Sequence, residues 1–155
     1  VSRLLRQSSL VAAALALAAG ACDGRLLLPS AVTNQDLAAA RAAWTAQHIT
    51  DYEFTLQRMC FCAETRPMRV TVRAGKVTFV RPVGELLPLP GAEAELYPSI
   101  VGIFDLIESA LAWPAAGVWA DYDAVRGFPH EVRIDYYANV ADDELTLLVS
   151  DIRAQ

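Results

Sequence analysis

Histidine and lysine are nearly missing from this chain: His48, His130 and Lys76 are the whole supply in 155 residues. Two imidazoles make no histidine cluster for a metal, and they are the only side chains that ordinarily titrate near neutral pH. Cysteine is scarce as well, confined to Cys22, Cys60 and Cys62, which excludes a four-thiolate zinc site. No nucleophile elbow, zinc-protease histidine pair or phosphate-binding glycine loop is written in the sequence. Nor does any apolar run reach the about 20 residues that a membrane-spanning helix needs. The other twelve basic residues are arginines, which, with the abundance of alanine, points to a GC-rich genome rather than to a chemistry. Acidic groups outnumber basic ones, 18 to 13, for a net charge of −5. That sign repels phosphate and argues against nucleic acid as a partner.

What is present begins with an address. Arg3 and Arg6 precede an uncharged apolar run over residues 10–19, and Ala19, Gly20 and Ala21 bring small residues up to Cys22. This is the layout of a secretory signal peptide, and it resembles the lipobox of bacterial lipoproteins. The resemblance implies cleavage after Ala21 and acylation of Cys22, which would become the new N-terminus. Two acyl chains hold a protein on a bilayer stably where one holds it marginally. The expectation is a signal peptide over 1–21, a lipidated cysteine and tether over 22–33, and one domain over 34–155. The mature chain would then carry eleven basic against 18 acidic groups, a net −7. Its place would be the cell envelope, facing the periplasm or the exterior, with the membrane as a partner through Cys22.

The domain itself reads in two patterns. Thr33 or Asn34 caps a helix with Asp36 in its first turn, and Leu37, Ala40, Arg41, Trp44 and His48 share one face. From Asp51 the period becomes two. Tyr52, Phe54, Leu56, Cys60 and Cys62 share a parity, with Arg58 the single intruder. Met68, Val70 and Val72 form the next inner face. Ala74-Gly75 is a two-residue hairpin turn that sets Arg73 opposite Lys76, Val72 opposite Val77 and Val70 opposite Phe79. Residues 82–98, rich in proline and glycine, read as an irregular connection. Ser99 caps a second helix with Ile100, Ile103, Phe104, Ile107 and Leu111 as its buried stripe, ended by Pro114. Three further strands follow, marked by Val118–Ala120–Tyr122, by the alternation from Phe128 through His130 to Tyr136, and by residues 144–152. The fold class is therefore α+β: an antiparallel sheet of about six strands with two helices on one face. The order of elements suggests an αβββ pseudo-repeat.

Several pieces of this order, taken together, resemble an uncharacterised bacterial family called domain of unknown function 6174. They are Trp44, Asp51-Tyr52, Cys60-Phe61-Cys62, Gly75, Tyr122-Asp123, Gly127-Phe128-Pro129, Asp135-Tyr136 and Ala141-Asp142-Asp143-Glu144. The resemblance implies an envelope location and this type of fold, and it supplies no activity. A fainter likeness of layout is to secreted inhibitor domains such as the β-lactamase inhibitory protein, and likeness of layout does not fix function.

Cys60 and Cys62 are the sharpest candidates for chemistry. In a flat strand their Cα atoms would lie roughly 6.6–6.8 Å apart, the far limit for a disulfide. A bond between them needs a local bend, which Arg58 could mark. A structural disulfide, a reducible pair with a redox role, copper(I) ligands and buried thiols all remain open. His48, at a helix end, and His130, in a strand, read as structural. Counting from Asp121, a calcium loop fails because Arg126 and Val132 occupy its glycine and glutamate positions. Asp142-Asp143-Glu144 reads as a solvated turn. No catalytic set and no cofactor site is recognisable. The expected function is a non-enzymatic binding module, with an envelope protein as a possible partner and residues 82–98 plus the open sheet face, including Trp119 and Tyr137, as its working surface. The alternative is a thiol-disulfide or copper-handling protein built on Cys60 and Cys62.

Overall fold

A computed structural model describes residues 31–113 and 115–155. The signal peptide, Cys22, most of the tether and the helix-ending role of Pro114 lie outside the described residues. The elements are α1 (Asn34–Thr45), β1 (Tyr52–Met59), β2 (Met68–Arg73), β3 (Lys76–Pro82), α2 (Gly91–Ala94), α3 (Ile100–Ala112), β4 (Gly117–Tyr122), β5 (Pro129–Asp135) and β6 (Leu145–Ala154). The six strands form one antiparallel sheet in the order β3-β2-β1-β6-β5-β4. The α+β reading holds, and no helix among the described residues is long and apolar enough to cross a membrane.

Helix α1 starts where Thr33 and Asp36 satisfy each other. The Thr33 hydroxyl accepts from the Asp36 N–H, and the Asp36 carboxylate accepts from the Thr33 N–H at 3.1 Å. Leu37, Ala40 and Trp44 then point at the sheet, and Trp44 meets Tyr52 and Phe128 edge-on at 5.4 and 6.3 Å. Ser99 caps α3, whose first N–H, at Ile100, donates to the Tyr52 hydroxyl. Ile100, Ile103, Phe104 and Ile107 are fully buried, and Ala110 rather than Leu111 ends the stripe. Arg41 joins the helices through Asp105 and Glu108 at 2.8 and 3.1 Å.

Both helices cover the sheet face that carries Tyr52, Phe54, Leu56, Met68, Val70, Val72, Val132, Ile134 and Leu147. The αβββ order recurs along the chain, apart from α2, but it is not a repeat in space. The strand order is kept from one half to the other while strand directions reverse. A rotation doing that would turn the second helix to the opposite face.

The hairpin departs from a regular ladder at one residue. Arg73 faces Lys76 and Val72 faces Val77, as the turn requires, but Thr78 is an extra residue, so Val70 faces Val80 instead of Phe79. The Thr78 hydroxyl bonds the Thr71 carbonyl across the bulge. Beyond it the parity switches: Val80 is buried and Phe79 is turned to the open face. Residues 82–98 are less irregular than expected, since the single-turn α2 interrupts them and Tyr97 is buried in the core.

Candidate functional site

Strand β1 stops at Met59, and the next three residues double back. The Cys62 N–H bonds the Cys60 carbonyl at 2.8 Å, drawing the two Cα atoms to 5.2 Å with their sulfurs bonded. The bend that a strand geometry would forbid is therefore present, but it lies beyond the strand and not at Arg58. Cys60 and Cys62 do not share the inner face with Tyr52, Phe54 and Leu56. They sit on a turn whose tip, Phe61, is 83% exposed.

This turn is tied to the 82–98 connection. Gln57 reaches the Thr65 carbonyl at 3.0 Å, and the Val83 N–H bonds the Pro67 carbonyl at 3.0 Å. Arg66 spans the gap, holding Glu64 at 2.6 Å and Glu85 at 2.7 Å. The Arg66 guanidinium keeps the Glu64 carboxyl below its ordinary value, and the two carboxylates in turn raise the arginine. Exposed pairs of this kind contribute little stability, about 0–1 kcal/mol, but they fix which loop lies beside which. The far end of the connection is anchored where the Leu89 N–H bonds the Val80 carbonyl and Tyr97 enters the core.

Arg58 remains within β1, on the inner face, opposite Leu147. Its guanidinium lies over the Tyr97 ring, 5.4 Å from the centroid, a cation–π contact. Burial pushes the Tyr97 phenol up. Arg58 also borders a groove of about 240 Å³, whose other walls include Leu96, Leu106, Leu145 and Leu147. The sequence flagged Arg58 only as a break in alternation. Tyr97 carried no signal at all, because the meeting depends on how the connection folds back.

The remaining candidates are scattered. His48 does not end α1, which stops at Thr45; it follows in a left-handed conformation with φ 53°, exposed. His130 is the bulged residue opposite the Asp121–Tyr122 step, so it leaves the inner face and meets the exposed Asp121 carboxylate at 2.8 Å. The Asp123 carboxylate is used up within its own turn, accepting from the Arg126 and Val125 N–H groups, bonds that lower its pKa. Among the described residues no three His, Cys, Asp or Glu side chains converge where a metal ion could bind. Trp119 stands on the open sheet face, half-buried, with its ring folded over Gly117, and Tyr137 lies exposed in the turn after β5. The joined loops thus present exposed apolar side chains, a disulfide-bonded cysteine pair and an arginine held between two carboxylates.

No curated protein matches the chain. A family model does match, over residues 36–154, which takes in both joined loops and every element after the first two residues of α1. By that match the chain belongs to a family of unknown function, DUF6174.

Proposed function

We propose that this protein is a non-enzymatic binding module, exported and held to a membrane by acyl chains on Cys22, with the Cys60–Cys62 turn and the 82–98 connection as its working surface. The observation that supports this reading is the set of apolar side chains left in solvent there. Phe61, Leu86, Leu87 and Leu96 are 83, 86, 77 and 52% exposed. Exposed apolar area has an unfavourable free energy of about 25 cal/mol per Å², and several large apolar side chains left in solvent on two joined loops are what an interaction surface would use. Photo-crosslinking in intact envelopes tests it: a reactive group at position 61 or 86 should give discrete adducts with an envelope protein, and one at Ser109, on the outer side of α3, should give none. Equal or absent labelling from all three positions would remove the reading. The anchor is tested separately by the mass of the mature N-terminus, where an acylated Cys22 is expected and an unacylated one refutes the tether.

A second reading is favoured by the exposure of Cys62. An accessible disulfide can be attacked by an external thiolate and exchange with it, and the reduced pair would present two soft ligands to copper(I). A measured reduction potential below about −300 mV would make the bond purely structural.

A further inference from the structure

We propose that the groove beside Arg58 binds a small carboxylate that carries an apolar tail. The inference rests on the binding-module reading only in placing a ligand at this end of the molecule. Arg58 sits on the inner face of the sheet but is only half-buried, so its charge is reachable at the border of the groove. The Arg58 guanidinium carbon lies 5.4 Å from the Tyr97 ring centroid, and with five N–H donors a guanidinium held by one such contact keeps donors for another partner. Among the described residues it forms no ion pair, whereas Arg41, Arg66, Arg69, Arg126 and Arg133 each do. Such a guanidinium fits a carboxylate in two parallel hydrogen bonds.

The rest of the groove is built for a tail. Leu96, Pro98, Leu106, Leu145 and Leu147 line it, and Gly102 lets the connection close on α3, since a side chain there would crowd the Pro98 ring at 2.8 Å. The space, about 240 Å³ and open to solvent along one side, suits a short alkyl chain, for which hexanoate is a fitting length. Glu95 also lines the groove. Its charge is tolerable beside a monoanion engaged by arginine and repels a dianionic phosphate, which selects carboxylate by exclusion.

Hexanoate is the probe. Titrated into the folded protein and followed by amide and arginine Nε NMR shifts, it should bind saturably, with changes grouped at Arg58, Leu96, Gly102, Leu106 and Leu145. Hexanol and hexyl phosphate should bind at least tenfold more weakly to the same protein. Arg58→Gln should weaken hexanoate at least tenfold and leave hexanol unchanged, with Arg58→Lys between. Absence of saturable shifts, or equal affinity for hexanoate and hexanol, would overturn the proposal; that wild-type comparison decides the matter even if the Gln variant does not fold. Crosslinks from position 61 without hexanoate binding would remove the groove and keep the module, and the converse result would do the opposite.

Discussion

Tyr122 carries a hydroxyl that is buried without a hydrogen-bond partner among the described residues, while its ring stacks on Phe104 at 6.3 Å. Burial pushes its phenol up to about 12. A buried, unpaired polar group costs roughly 1–3 kcal/mol, so Tyr122→Phe is expected to stabilise the fold by about 1 kcal/mol, seen as a rise of a few degrees in melting temperature. Tyr52, Tyr97 and Tyr136 are also pushed up, in each case chiefly by burial. Their raised values mean stability that is fully present below the ordinary value of 10 and lost as pH rises through the folded values, for Tyr122 near 12. Denaturation monitored by tyrosinate absorbance should therefore fall in midpoint above pH 10 and be flat just below it. Parity in the sequence located Tyr52 and Phe54 in the core, because strand alternation is a local property. It could not locate the unpaired hydroxyl of Tyr122, nor the use of Arg58, because both depend on what other segments bring or fail to bring.

At the scale of elements, the caps and turns were legible and the bulges were not. Thr33, Ser99 and Ala74-Gly75 act within a few residues of themselves, so their chemistry is complete in the sequence. The Thr78 and His130 irregularities each insert one residue against a partner strand, and nothing in the single strand marks where the partner will slip. The misplacement of Phe79 and the inward expectation for His130 both follow from that. Gly127 shows an element fixed by close approach. Its φ is 76°, and a Cβ there would collide with the Ala40 carbonyl oxygen and the Ala43 methyl of α1. Both the backbone conformation and the space require glycine. Gly127→Ala should destabilise by more than about 1 kcal/mol, measurable by urea denaturation, with loss of the Trp44 near-ultraviolet signal as α1 is lifted off the sheet.

At the scale of the whole molecule, the sequence yielded the antiparallel sheet of six strands and the two long helices on one face, but not the short α2 or the order of the strands. The central pair of the sheet is β1 with β6, the first strand with the last. Tyr52 faces Ala154 and Met59 faces Thr146, contacts separated by nearly the entire domain. Hydrophobic alternation says which face of a strand is buried and nothing about its neighbour, so a spatial repeat looked as plausible as the observed order. Deleting residues 145–155 should leave one three-stranded and one two-stranded piece with apolar edges and no native circular dichroism, whereas removing Gln155 alone, which loses only its bonds to Asp51 and Arg73, should cost little.

Placing the final strand at the middle of the sheet also sets when this protein can exist in its finished form. Emerging amino-end first from a ribosome, the polypeptide must expose β6 before β1–β3 and β4–β5 have anything to join them. Long-range pairing of this kind makes folding slow relative to local assembly. Until β6 docks, the two halves of the sheet have no common partner, and the molecule becomes one rigid body only then.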